Sequence, residues 1–181
     1  MAERYDDIVK KVLVSAEEIA EITKKLGEQI TIDYAGKELI VVGMLKGAMP
    51  FMMDLVKNIK LPMEFDFIQT SSYHGGTTST EVIFKKDVTT PVSGKHVLIV
   101  DDVVDTAKTI TKVLEIFKNR GAASIELCCL LDKIEGRVVP YTPKYAGKVI
   151  PNEFVIGYGL DYNELYRNLP YVGVVKDEVY K

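Results

Sequence analysis

With 181 residues, 47% of them hydrophobic and 27% charged, the chain has the composition of an ordinary globular domain, long enough to bury a sizeable core. A formal net charge of −3 argues against a general nucleic-acid or membrane-surface role, and no apolar run approaches the ~18 residues of a membrane helix. Met1 to Lys10 carries acids and no apolar core, so it is not read as a secretory signal, and two adjacent cysteines with two histidines give neither a disulfide framework nor a zinc pattern.

Ser15-Ala16-Glu17-Glu18 has the form of a capping box, and Ile19, Ile22 and Leu26 follow on one face of a helix that Gly27 is expected to stop. Leu39 to Leu45 is nearly all apolar, as expected of a strand covered on both faces. A second helix starts over Gly47 to Pro50, with Phe51, Leu55 and Ile59 at spacing four and Pro50 tolerated in the first turn. Met63 to Ile68 reads as the next strand and closes a βαβ unit. Ser71 to Thr80 is rich in Ser and Thr, holds His74-Gly75-Gly76 and lacks apolar periodicity; it is read as a mobile loop. Strand character returns at Glu81 to Lys86 and at Gly94 to Val100. A helix then runs from Asp105 to about Asn119, before Gly121, and Ile125 to Leu131 is another buried strand. Within it Cys128 and Cys129 point to opposite faces and read as small buried hydrophobes in a reducing cytoplasm. The tail offers one strand candidate, Phe154 to Ile156. Alternating strands and helices place the chain in the α/β class: one domain over 1–181, a mainly parallel central sheet flanked by helices, with right-handed crossovers.

The most informative stretch is Val97-Leu98-Ile99-Val100-Asp101-Asp102-Val103-Val104-Asp105-Thr106-Ala107-Lys108-Thr109. Ligands in open α/β folds bind where strands end at the carboxyl edge, and the first turn of the next helix offers unpaired N–H groups and a positive dipole end to a phosphate. Asp105 can cap that helix, Thr106 and Thr109 bring hydroxyls and Lys108 brings charge. Asp101 and Asp102 can accept hydrogen bonds from a sugar diol or hold Mg2+. The plainer reading makes the two acids polar residues where a strand surfaces and Asp105 a simple cap. Three acids and Thr-x-x-Thr within nine residues, after an apolar run, favour a binding site. On the same rim lie Lys46-Gly47, where a glycine lets a ligand approach the backbone, and Lys133, whose ordinary reading is a solvated loop lysine. The run Phe154-Val155-Ile156-Gly157-Tyr158-Gly159-Leu160-Asp161-Tyr162-Asn163-Glu164 is read either as a site segment or as a tail packing on the sheet.

The stretch around Asp101 resembles the phosphoribosyl-pyrophosphate signature of the type I phosphoribosyltransferases, with Ala107 where that family usually has Gly and Asp101 for the commoner Glu. An ordinary right-handed conformation is expected at position 107, where Ala costs nothing. Leu45-Lys46-Gly47, Ser71-Ser72-Tyr73, Leu131-Asp132-Lys133, Val155 to Tyr162 and Arg167-Asn168-Leu169-Pro170 follow in the order and spacing of the hypoxanthine-guanine phosphoribosyltransferases. The resemblance spans roughly Glu38 to Tyr180 and implies a phosphoribosyltransferase fold with a small hood built from about 1–37 and 150–181.

The resemblance also implies an activity: transfer of a 5-phosphoribosyl group from phosphoribosyl pyrophosphate to N9 of hypoxanthine or guanine, giving IMP or GMP and pyrophosphate. It makes Asp105 the general base, Asp101 and Asp102 the ligands of the ribose and of Mg2+, and Asp105, Thr106, Ala107, Lys108 and Thr109 the cradle of the 5′-phosphate. Lys46 and Gly47, joined to Leu45 by a cis peptide, together with Arg167 would hold pyrophosphate. Lys133, Phe154, Val155 and Asp161 would read the purine, Asp161 also serving a second Mg2+. Ser72 and Tyr73 would belong to a flexible loop closing over the site. The resemblance further implies a cytoplasmic homodimer or homotetramer that uses neither nucleic acid nor membrane. Two rivals carry less. A phosphate-sensing receiver would have its paired acids after the first strand, and a nucleic-acid regulator binding the same sugar phosphate would need a basic face.

Overall fold

The computed structural model describes residues 7–73 and 81–180. Within them Leu39–Met44 (β2) and His96–Val104 (β5) are the centre of a six-stranded sheet, because their side chains are buried on both faces. The strand order is β4-β3-β2-β5-β6-β7, with Glu64–Tyr73 (β3), Glu81–Lys86 (β4), Ser124–Asp132 (β6) and Tyr145–Val149 (β7). All neighbours are parallel except β3 and β4. The α/β class and mainly parallel sheet are thus as the sequence predicts.

Helices Ala16–Asp33 (α1) and Met49–Asn58 (α2) share one apolar cluster with Val41, Leu98, Val100, Cys128 and Leu130. Helix Lys108–Asn119 (α3) shares the other with Ile40, Val42, Val97, Ile99, Leu127 and Cys129. The strand period of two therefore divides the core into two layers, and it sends Cys128 and Cys129 to opposite sides as expected. A second sheet of three strands joins the chain ends: Val9–Val14 (β1) and Val155–Ile156 (β8) flank Val172–Val175 (β9), all antiparallel. A short helix, Asp177–Tyr180 (α4), follows. Of the segments assigned above to a hood, β1, β8 and β9 form this small sheet, whereas α1 packs on α2 and β7.

Several expectations need correcting. Ser15 is the N-cap of α1 and accepts from the Glu18 N–H at 3.2 Å, but Gly27 does not end the helix. It is buried at the crossing with α2, where an added Cβ would stand 2.5 Å from the Asn58 Cβ; the glycine is there for contact between helices. β3 runs five residues beyond Ile68, so Ser71, Ser72 and Tyr73 are strand residues paired with β4 rather than loop. The remainder of the expected loop, 74–80, lies outside the described residues. β1, β7 and β9 were not expected as strands. Asp105 does not cap α3, which begins at Lys108 with Ala107 in the cap position.

Candidate active site

Parallel strands place their carboxyl ends on one rim, and four segments of the chain meet there. At the end of β5, Asp101 lines a cleft of about 270 Å³ with Met44, Val103, Val104 and the turn Asp105-Thr106-Ala107. Thr109 and Ile110, from the first turn of α3, complete the cleft. Ala107 is left-handed at φ 62°, against the right-handed conformation expected of it. The reason lies in the contacts behind the turn. The carbonyls of Val104, Asp105 and Thr106 are each engaged by the segment following β6, which fixes the backbone direction before the helix starts. Lys108 is exposed outside the cleft, and its N–H lies 3.4 Å from the Thr106 hydroxyl.

Asp102 lies on the other side of the strand end, beneath the loop after β2. An added Cβ at Gly47 would come within 1.7 Å of the Asp102 Oδ2, so the room left by glycine is filled by a carboxylate of the protein itself. The Leu45-Lys46 peptide is cis, as the resemblance implied. Gly159 in turn packs on the Gly47 carbonyl, 1.9 Å from where its own Cβ would be. Arg167 donates from Nη1 to the Gly159 carbonyl at 2.7 Å and pairs through Nη2 with Asp161 at 2.8 Å. Glu164 bridges this group to the loop after β2, 2.7 Å from the Lys46 Nζ and 3.4 Å from the Arg167 Nη2. Burial pushes the Asp101 and Asp102 carboxyls up from the usual range, and their mutual repulsion adds to the shift at Asp101. The Arg167 guanidinium opposes the rise at Asp102.

Lys133 is buried, not the solvated loop lysine of the ordinary reading, and its Nζ lies 3.5 Å from the Asp105 Oδ2. The residue expected to read a purine and the expected base therefore share one corner of the rim. Phe154 belongs to a third apolar cluster, with Ile156 and Leu169. Its ring is stacked on Tyr180 at 5.0 Å between centroids and meets Tyr162 edge-on at 5.8 Å. Val155 is buried and paired with Val174 in the small sheet. The structure thus gathers Lys46, Gly47, Asp102, Asp161 and Arg167 into one group and Asp101, Asp105, Thr106, Ala107, Thr109 and Lys133 into another. Phe154 and Val155 reach the first group through the chain of β8.

The profile of the phosphoribosyl transferase domain family matches residues 9–163. A hypoxanthine-guanine phosphoribosyltransferase of Streptococcus pneumoniae is 58% identical over 173 residues, 95% of this chain and 96% of that one. The chain belongs to the hypoxanthine-guanine phosphoribosyltransferase family. A protein of that name from Lactococcus lactis is 51% identical over 181 residues, covering 99% of this chain and 98% of its own. A crystal structure of a hypoxanthine phosphoribosyltransferase from Staphylococcus aureus superposes with a TM-score of 0.94 at 48% identity, covering 100% of this chain and 99% of that one. The fold described above is therefore the type I phosphoribosyltransferase fold, and the rim is where this family member carries its candidate site.

Sequence reasoning gave no individual role to three side chains of this rim. Arg137 donates to the Asp105 carbonyl at 2.7 Å and pairs with Asp132. Glu164 joins Lys46 and Arg167. Tyr158, at φ 49°, donates its hydroxyl to Asp54 of α2 at 2.6 Å and anchors the Gly157–Gly159 segment. None sits in a periodic segment, so none carried a pattern to read. The charge spacing in Asp132-Lys133 and Arg137 was the one available hint.

Proposed function

We propose that this chain transfers the 5-phosphoribosyl group of phosphoribosyl pyrophosphate to N9 of a 6-oxopurine, hypoxanthine or guanine, giving IMP or GMP and pyrophosphate. The observation that carries the reading is the meeting of Asp105 and Lys133, 28 residues apart in the chain, beside the cleft lined by Asp101. As the pyrophosphate leaves, the ribose carbon develops positive charge. The protein must hold the diol, steady the leaving group and take a proton from the purine imidazole.

Asp105 is assigned as the group that takes that proton, a contribution of typically 10²–10⁴-fold. The backbone of Asp105 to Thr109, with the Thr106 and Thr109 hydroxyls and Lys108 at its edge, is assigned to the 5′-phosphate. Asp101 and Asp102 are assigned to the ribose hydroxyls, and Lys46, Gly47 and Arg167 to pyrophosphate. Lys133 donates to a 6-oxo group and has nothing to offer a 6-amino group, which selects against adenine. Phe154 and the Val155 backbone are assigned to the face and edge of the base, and Ser72 and Tyr73, at the far end of the β3–β4 arm, to closure over the site.

Mg2+ fits this rim. Asp101 and Asp102 are adjacent carboxylates, both pushed up by burial, and a cation beside them would relieve that cost. Among the described residues no three His, Cys, Asp or Glu side chains gather into a cage, which suits a cation that takes one or two carboxylates and fills its shell with water and phosphate oxygens. Asp101 and Asp102 would hold one ion and Asp161 a second, and when bound they would supply positive charge to the leaving pyrophosphate. The assembly we assign is a homodimer or homotetramer in the cytoplasm, where Cys128 and Cys129 remain free thiols.

The deciding experiment incubates the protein with Mg2+, phosphoribosyl pyrophosphate and each purine in turn, and separates the products. Nucleotide is expected from hypoxanthine and guanine, and none from adenine. Lys133→Ala is expected to erode the preference for hypoxanthine over adenine by at least about 10²-fold. An unchanged preference removes Lys133 from the specificity argument, and absence of nucleotide with every 6-oxopurine ends the reading.

A further inference from the structure

Behind the turn that carries Asp105 runs a strap, residues 133–139, which takes three consecutive carbonyls. The Lys133 N–H donates to the Val104 carbonyl at 2.9 Å, and the Val138 and Val139 N–H groups donate to that of Thr106 at 3.1 Å each. Between them, the Asp105 carbonyl accepts from the Arg137 Nη1 at 2.7 Å, the one bond of the set made by a side chain. The other arm of Arg137 pairs with Asp132, the last residue of β6, and their side chains are only 11% and 6% exposed. Gly136 passes so close to Asp105 that a Cβ there would stand 2.2 Å from the Oδ1. The strap therefore touches Asp105 at both its carboxylate and its carbonyl.

We propose that Arg137 is a positioning residue for the phosphoribosyl transfer, holding the Asp105–Thr106 peptide from behind and tying it to the segment that carries Lys133. A trans peptide is planar, so the Thr106 N–H points away from the guanidinium that holds the Asp105 carbonyl, and Asp105 and Thr106 both line the cleft. A hydrogen bond from a cation is stronger than a neutral one, and it polarises the peptide so that the N–H on the far side donates better. The planar fork of arginine serves two acceptors at once, Asp132 and the Asp105 carbonyl. An ammonium is a single point and holds one of them well. Because Asp132 precedes Lys133 directly, one buried ion pair sets both the base and the purine contact in register. This inference rests on the roles assigned above to Asp105 and to the turn after it.

The test is steady-state kinetics on Arg137→Lys and Arg137→Ala, with thermal unfolding measured alongside so that rates refer to folded protein. Arg137→Lys keeps a cation opposite Asp132. Its kcat for IMP formation is expected to fall about 10²-fold, with the KM for hypoxanthine changed less than about threefold, since a displacement near 1 Å costs about that much in rate. Millimolar guanidinium, too dilute to denature, is expected to restore part of the kcat of Arg137→Ala, an effect that loss of stability alone does not produce. Should Arg137→Ala fail to fold, the Arg137→Lys result decides. The proposal is overturned if Arg137→Lys turns over at the parent rate, or if the variants merely melt at lower temperature with kcat intact. A parent that makes no nucleotide defeats the assigned activity instead, and the two failures are told apart by that control.

Discussion

Gly47→Ala tests the geometry of the rim most directly, because the methyl group would be built onto Asp102. The new Cβ would stand 1.7 Å from the Asp102 Oδ2 and 2.8 Å from its Cγ. Ordinary contact between such atoms is about 3.5–4 Å, so the carboxylate must retreat by roughly 2 Å. It cannot do so freely, since its Oδ1 accepts from the Val103 N–H at 2.7 Å. One short side chain moves and one hydrogen bond to a charged group breaks, a stability loss of about 1.5–3 kcal/mol. The functional loss should be larger, because the displaced group is assigned to the ribose and the cation. A misplacement of 1 Å costs about 10²-fold, so kcat/KM for phosphoribosyl pyrophosphate is expected to drop by 10² or more, about 2.7 kcal/mol of transition-state binding.

The assay is the initial rate of IMP formation at saturating hypoxanthine over a range of phosphoribosyl pyrophosphate, with urea unfolding of the same samples. Gly36→Ala is the control: nothing lies within 4 Å of its added Cβ, and its φ of 73° adds a backbone strain that Gly47 does not carry. The control is expected to lose about 1 kcal/mol of stability to left-handed strain with unchanged kinetics. Retention by Gly47→Ala of a kcat/KM within threefold of the parent would refute the claim that Asp102 is held in place by this loop.

Three further predictions concern stability. Asp66, buried in β3, accepts from the Lys86 ammonium, the Phe67, Thr89 and Thr90 N–H groups and the Thr89 hydroxyl. Burial alone would raise its carboxyl, but these donors, Lys86 foremost, hold it far below the usual range. A depressed folded-state value contributes stability above the unfolded value, near pH 4, that is lost as pH falls toward the folded one. Asp66→Asn should therefore cost about 2 kcal/mol or more at pH 7 and flatten the acid limb of stability below pH 4, read by urea midpoints; an acid limb as steep as the parent's would contradict this. Ala107→Gly should change stability by less than about 1 kcal/mol: relief of about 1–2 from the left-handed conformation is offset by about 0.4–1 of unfolded-state entropy and about 0.8 for the lost buried methyl. Ala107→Val, branched at a positive φ, should cost more than 2 kcal/mol by the same measurement.

What the sequence disclosed of the fold follows from where periodicity is strong. β2, β5 and β6 are buried on both faces, and α3 is amphipathic, so both βαβ units could be read from the order of residues alone. β1 and β9 could not, because their pairing joins the two ends of the chain and neither carries a turn signal. β7 is five residues with a Gly and a Lys, and it is a strand because β6 offers it a ladder. In the site, the acids and threonines were legible since a strand-to-helix turn places them by local geometry. The left-handed Ala107 was not, because the bonds that impose it come from residues 133–139, whose position the fold alone decides. The burial of Lys133, against its plainer reading as a solvated loop lysine, was not legible on the same ground: it depends on the turn the side chain faces.

Lys108 apart, the cations of this rim are paired with acids, and the exposure of each pair separates those a ligand could displace from those that belong to the scaffold. Lys46 and Glu164 are 57% and 65% exposed, so their pair is worth at most about 1 kcal/mol and an arriving phosphate oxygen displaces it cheaply. Arg167 is less open, but it divides its charge between Asp161 and Glu164 and can exchange one for a ligand. Arg137 and Asp132 are different. Breaking a pair so deeply buried costs about 3–5 kcal/mol, more than any single contact to substrate returns, so Arg137 stays where it is through the reaction. Asp101 and Asp102 differ from the other acids of the rim: burial raises both carboxyls, and among the described residues neither is in an ion pair. A substrate that is itself an anion cannot settle there alone. On the proposed reading a divalent cation held by these carboxylates would supply positive charge to the substrate, so the activity is expected to vanish with chelation of Mg2+ while thermal stability stays unchanged.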